Sequence, residues 1–231
     1  MGSAARGWQA QRRSLLALYR RLRHAYGHAR WWPGQSPFEV CVGALLAQNT
    51  AWINVERSLD VLRRHHLLSV GALGALTERQ LAALIRPSGT YNVKARRLAA
   101  LVAFLHAECG GRVEALRRFD LPTLRLKLLN INGIGPETAD AILLYAAEKP
   151  VFVVDAYTRR IFSRLGLVPP RGTYAALQEF FMQRLPPDVG LFNDYHAQIV
   201  RLAKEACRSR PRCERCPLED RCPRRGVPRP A

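Results

Sequence analysis

Residues Leu128 to Leu165 read LLNINGIGPETADAILLYAAEKPVFVVDAYTRRIFSRL. A short helix ends near Asn130, and Ile131-Asn132-Gly133-Ile134-Gly135 follows as a tight turn. Pro136 stands where a helix begins, a position that favours proline because its missing N–H has no intrahelical partner there. Gly133 and Gly135 admit positive φ and a close approach by another backbone. The N–H groups of such a turn and of the helix start attract an anion. On a chain of net charge +18 the natural anion is a DNA phosphate, a contact that positions without reading bases. Twenty residues after Gly135 comes Asp155, behind Val153-Val154 and ahead of Ala156-Tyr157-Thr158-Arg159-Arg160. By itself Asp155 reads as a helix N-cap, since aspartate is a preferred capping residue.

The flanking sequence is helical nearly throughout. Apolar spacing predicts helices over 9–28, 38–48, 52–64, 78–86, 92–109, 121–130, 136–147, 155–165, 173–184 and 192–207. The only strand-like run is Val151-Phe152-Val153-Val154, which has no evident partner and reads as an extended buried connection. The expected fold is all-α, with about ten helices joined by short loops. Composition narrows the function. The 231 residues are 48% apolar, enough to build a core, so this is not a disordered basic tail. Of 36 basic residues only Lys94, Lys127, Lys149 and Lys204 are lysines. No run approaches the roughly 18 apolar residues of a membrane helix. Tyr19-Arg20-Arg21 ends the apolar run Leu15 to Leu18 too early for a signal peptide, so a cytoplasmic, nucleoid-associated place is expected.

Four of the six cysteines, Cys207, Cys213, Cys216 and Cys222, follow the pattern C-x5-C-x2-C-x5-C. In a reducing compartment this is a metal site rather than a pair of disulfides, and spacing alone allows either an iron–sulfur cluster or structural zinc. Cys41 and Cys109 lie alone in apolar patterns and read as buried small residues. Arginines 208, 210, 212, 215, 221, 224 and 225 surround the four thiols, where they offset anionic charge or face phosphates.

Taken together, the hairpin Leu129 to Gly135, Asp155 and the four-cysteine loop resemble the helix-hairpin-helix, Gly/Pro-rich, aspartate superfamily of DNA glycosylases. The likeness is to its endonuclease III branch, and it runs from about Trp31 to Cys222. Leu46-Ala47-Gln48-Asn49-Thr50 resembles the loop that fills the gap left by an extruded base. The resemblance implies a six-helix barrel with the helix-hairpin-helix over 29–149. It also implies a smaller helical domain, 1–28 with 150–231, closed by a [4Fe-4S] cluster on the four cysteines. The implied partner is double-stranded DNA carrying a damaged base, bound by a monomer through Gln48, Asn49, Gly133 and Gly135. The base is flipped out because its glycosidic bond is inaccessible within a duplex. Asp155 then stabilises the oxocarbenium-like sugar or activates a water.

Two departures shape the expected activity. Endonuclease III has a lysine two residues after the second hairpin glycine, whose amine forms a Schiff base with the sugar. Here that position is Glu137, and a carboxylate cannot make an imine. A monofunctional glycosylase is therefore expected, with Glu137 a possible second carboxylate or a charge that suits the helix dipole. The first cysteine spacing, x5, is one residue shorter than in the usual loop. Other details are similar to the 3-methyladenine type of endonuclease III-related glycosylase: Trp31-Trp32-Pro33, Gln48 to Trp52, Pro87 to Asn92 and Gly135 to Asp140. In that subgroup aromatic residues near Trp31, Trp32 and Trp52 line the base pocket, where an electron-rich face attracts a cationic alkylated purine. The competing readings are an oxidised-pyrimidine glycosylase with weak lyase activity and a catalytically silent damage binder. His196 and Lys204 share the helix leading into the cysteines and read as structural and solvated.

Overall fold

The computed structural model describes residues 2–29 and 34–227, with the side chains of residues 2–6 left aside. The described residues are helical, without strands. No helix among them is long and apolar enough to cross a membrane. The chain divides into two compact units, one formed by Met1–Trp31 with Val151–Ala231, the other by Trp32–Pro150.

The second unit is built around α2 (Pro37–Leu46). Ser36 caps it by accepting from the N–H of Glu39, and Pro37 begins it. Val40, Cys41, Val42, Leu45 and Leu46 are all buried, and Glu39 is buried against Arg63 of the next helix, so this helix is covered on every side. Around it pack α3 (Trp52–Arg64), α6 (Tyr91–Cys109) and α8 (Pro136–Ala141). The last turn of α8 widens into a π-helical one, Ile142–Ala146, which also packs on α2. Between α3 and α6 lie α4 (Val70–Gly74) and α5 (Glu78–Leu84). Helix α5 opens with a reciprocal capping box of Thr77 and Gln80. Helix α4 departs from the sequence expectation. It is five residues long with two glycines, so it shows no helical period, and Ser69 starts it by capping.

Helix α7 (Leu121–Leu129) begins at the cap Asp120 and leads into the hairpin. A buried ion pair braces the two helices of that hairpin. Nε and Nη2 of Arg125 on α7 donate to the two oxygens of Asp140 on α8 at 2.7 and 3.1 Å, and Asp140 is fully buried.

The first unit consists of α1 (Gly2–Tyr26), α9 (Ala156–Arg164), α10 (Tyr174–Arg184), α11 (Val189–Glu205) and the cysteine loop. Its core is aromatic: Phe152 stacks on Phe181 at 4.2 Å and meets Phe192 and Tyr195 edge-on. The run Val151 to Val154 is extended and buried as expected, and the structure shows what replaces a strand partner. One face of α10 bonds its backbone: Gln178 donates to the carbonyl of Phe152, and Met182 Sδ accepts from the Phe152 N–H. Tyr174 Oη faces the Val154 N–H at 3.5 Å. Buried backbone groups must find partners, and side chains at i, i+4 and i+8 of a helix supply them here.

Candidate active site and nucleic-acid interface

Asp155 is delivered by that extended run. Its φ of −114° and ψ of −177° make it the residue before α9, and Oδ1 accepts from the N–H of Thr158 at 2.7 Å and from its hydroxyl at 2.8 Å. Asp155 is thus a true N-cap, and it is also more. Asp120 caps α7 with the same Asp-x-x-Thr bonds, yet it is exposed to water. The Asp155 side chain is only 14% exposed, and its second oxygen, Oδ2, faces Nε2 of His196 at 3.5 Å. Burial pushes the carboxyl toward its neutral form, but the His196 ring and the two Thr158 donors outweigh that and hold it below the ordinary aspartate value. His196 therefore joins Asp155 in the candidate site. By sequence it reads as structural, and no local motif marks it. Lys204 is exposed on the same helix.

The far end of α9 holds the cysteine loop. Arg160 donates to the carbonyl of Cys207 at 2.9 Å. Arg164 donates to the carbonyls of Arg208 and Ser209, and its Nη1 lies 3.4 Å from Cys207 Sγ. An arginine that donates toward a thiol thus comes from α9, four residues beyond Arg160, while Arg224 of the loop also lines the cysteine cavity. All four cysteines, with Ala206, Pro211 and Val227, line one cavity, and Leu218 anchors the loop in the core. Burial pushes the Cys216 thiol up to about 11, aided by repulsion from Cys207, Cys222 and Cys213; burial also raises Cys222. Among the described residues no three His, Cys, Asp or Glu side chains converge closely enough for a single metal ion. Cys41 and Cys109 are buried, as expected.

In the other unit the hairpin turns at Gly133, whose φ of +85° explains the glycine. Ile131 and Ile134 on either side are buried and pin the turn to the core. Gly135 differs from expectation in having an ordinary φ of −89°; it caps α8, and the place of its missing side chain is open space. Gly133 is covered instead, because Arg97 lies across it. Glu137 is exposed in the first turn of α8.

The Gln48 loop joins this hairpin. Gln48 Nε2 donates to the carbonyl of Gly133 at 2.9 Å and to Thr138 Oγ1 at 3.0 Å. Lys94, which is 1% exposed, holds the other side of the loop through Leu46, Thr50 and Ser88. Neither Arg97 nor Lys94 carries a sequence signal beyond its place on α6. Trp52 starts α3 half-exposed and donates to Glu56 at 2.7 Å. Trp31 and Trp32 lie outside the described residues.

Comparison with known proteins identifies the family. The family model for the HhH-GPD superfamily base excision DNA repair protein matches residues 42–187. The chain is 44% identical over 207 residues to a Methanocaldococcus jannaschii protein carried under the name Putative DNA repair glycosylase MJ1434, covering 89% of this chain and 94% of that one. It is 31% identical to an endonuclease III of Thermotoga maritima, over 80% of this chain and 82% of that one. The structure of H. pylori 3-methyladenine DNA glycosylase (MagIII) bound to 1,N6-ethenoadenine is 30% identical. It superposes with a TM-score of 0.72, covering 86% of this chain and 97% of that one. By these matches the chain belongs to the HhH-GPD superfamily of base excision repair DNA glycosylases.

Proposed function

We propose that the chain is a monofunctional DNA glycosylase that hydrolyses the N-glycosidic bond of a damaged base extruded from double-stranded DNA. The observation that carries this reading is the Asp155 carboxyl, nearly buried yet held in its ionised form by His196 and Thr158. As the bond to the base lengthens, the sugar gains positive charge, and a fixed carboxylate stabilises that charge or takes a proton from the attacking water. Oδ1 is committed to the helix cap, so Oδ2 is the oxygen that works, with His196 fixing its direction. Glu137 cannot form an imine, which argues against strand cleavage through a hairpin amine. Gly135, with open space beside it, and the N–H groups of the hairpin suit a phosphate.

The substrate we favour is an alkylated purine. The MagIII structure, titled a 3-methyladenine glycosylase bound to 1,N6-ethenoadenine, supports this at 30% identity. Trp52 would contribute to the base pocket, together with Trp31 and Trp32. An alkylated purine carrying positive charge leaves readily, so no nucleophilic lysine is needed. The test is single-turnover excision from duplexes holding one defined lesion each, with borohydride trapping in parallel. Excision of alkylated purines without a covalent adduct supports the proposal. A strong adduct, or excision of oxidised pyrimidines alone, overturns it, and tight binding without excision of any lesion favours a damage binder.

We further propose that Cys207, Cys213, Cys216 and Cys222 hold a [4Fe-4S] cluster. The donor set fits: four thiols line one cavity, and Arg164 offers a donor to Cys207 Sγ. When bound, the cluster supplies a rigid tie for the loop, and no step of base removal is assigned to it. Iron and labile sulfide with a broad visible absorption would support the cluster; colourless protein with stoichiometric zinc would overturn it.

A further inference from the structure

Helix α1 ends at Tyr26, and Gly27 takes a φ of +74° to turn the chain away. Arg201 on α11 holds Tyr26 twice. Its Nη1 donates to the Tyr26 carbonyl at 2.6 Å, and its guanidinium lies over the ring, 4.6 Å from the centre. Glu205, one turn further along α11, accepts from Arg201 Nε at 2.7 Å and fixes the guanidinium in turn. The hydroxyl at the tip of this clamped ring is buried and has no hydrogen-bond partner among the described residues. A buried hydroxyl left unpaired is costly, and phenylalanine would fill the same space without that cost. Tyr19, on the same helix, shows the ordinary arrangement: its hydroxyl donates to the buried carboxylate of Asp194 at 2.8 Å.

The surroundings of the Tyr26 hydroxyl belong to the cysteine site. Burial raises its proton affinity first, and Glu205, Cys216 and Cys207 add to the rise against Arg201, so the group keeps its proton and is a donor. Arg21, five residues earlier on α1, donates to the carbonyl of Pro217, next to Cys216, and pairs with Asp220 at 2.8 Å. The last turns of α1 thus lie against the loop. Its sulfurs already collect donors: Arg164 Nη1 for Cys207, and the backbone N–H groups of Leu218 and Arg224 for Cys216 and Cys222. A neutral thiol is a weak acceptor, whereas a metal-bound thiolate accepts well, and such donors tune the centre it holds.

We infer that Tyr26 is a positioning residue of the four-cysteine site, its hydroxyl the donor to the Cys216 sulfur once that sulfur is a metal-bound thiolate. The inference rests on the metal site proposed above.

The test uses the protein as purified, after its iron, labile sulfide and zinc have been counted. Tyr26→Phe keeps the ring under Arg201 and the carbonyl bond, and removes only the hydroxyl. Tyr19→Phe is the matched control, because it removes a hydroxyl of the same helix that faces Asp194. Losing a donor to sulfur disfavours the more negative, reduced centre, so the midpoint potential of Tyr26→Phe should lie below that of the wild type. Its metal should also pass to a competing chelator on the order of tenfold faster. Tyr19→Phe should melt lower, having stripped Asp194 of a donor, at wild-type potential and release rate. An unchanged potential and release rate in Tyr26→Phe overturn the inference and leave the cluster reading standing, as do equal changes in the two variants. A chain that carries zinc overturns the cluster reading alone, and the release rates then decide Tyr26 by themselves. A chain that carries no metal overturns both.

Discussion

His196 Nε2 lies 3.5 Å from Oδ2 of Asp155, and the two side chains are 7% and 14% exposed. Burial on its own drives an aspartic acid toward neutrality. The imidazole and the Thr158 donors reverse this and keep the carboxyl low. His196→Gln removes the first of these opposing influences and leaves the burial, so the carboxyl rises. The proposed base removal needs the carboxylate, so the acid limb of the single-turnover pH profile should move to higher pH in the variant. A profile of unchanged position, reduced only in height, would show that His196 merely packs.

Asp155→Asn and Asp120→Asn form a matched pair, because both residues cap a helix through a threonine three positions on. Asparagine also caps well, so both variants should fold. Asp155→Asn is expected to slow excision by about a hundredfold or more, the scale of losing one charge-stabilising group, while Asp120→Asn leaves it unaltered. Equal excision rates in the two variants would reduce Asp155 to a cap. Acid stability has the same sign for both, because the Thr123 donors hold Asp120 below the ordinary aspartate value as well. The lowered Asp155 carboxyl contributes stability that is present above the unfolded carboxylate value and is lost as pH falls through the folded one.

The hairpin is braced by Arg125 and Asp140, the latter fully buried. Removing Arg125 strands the fully buried Asp140 charge, so Arg125→Met is expected to cost about 3–5 kcal/mol in denaturant unfolding. A loss under about 1 kcal/mol, the range of a surface pair, would show that the brace contributes little.

These residues differ in how far the sequence alone could reveal them. The hairpin, Asp155 and the four cysteines are encoded over short spans, as glycine–proline punctuation, a cap and a spaced ligand set. Their recognition required no knowledge of long-range contacts. His196 lies 41 residues after Asp155 and Arg97 lies 49 after Gln48, and each is a single polar residue on a helix whose period reports only the core face. The partner of the Val151 to Val154 run was invisible for another reason: it consists of side chains of α10, and period-2 patterning reports only strands. Arg160 and Arg164 did carry a signal, two arginines at i, i+4 on the helix that starts at Asp155, but nothing in the sequence says what that face meets.

Lys94 provides a test of how the Gln48 loop is held. Its ammonium is surrounded by the carbonyls of Leu46 and Ser88 and by Thr50 Oγ1, at 2.6–2.8 Å. Lys94→Met fills the space but leaves these acceptors unpaired, so a loss of about 3 kcal/mol is expected. The pH dependence carries a definite sign. Burial pulls Lys94 down to about 8 from 10.5. Between those values the unfolded chain retains a proton that the folded chain releases, so this group's contribution to stability rises with pH. The stability difference between wild type and Lys94→Met should therefore widen from about pH 8 to about pH 10.5 and be flat below that window. A difference that is flat across the whole range would mean that Lys94 titrates as an exposed lysine does. The three acceptors would then be bound to something other than a desolvated ammonium, and the rigid clamp on the loop would fall with them.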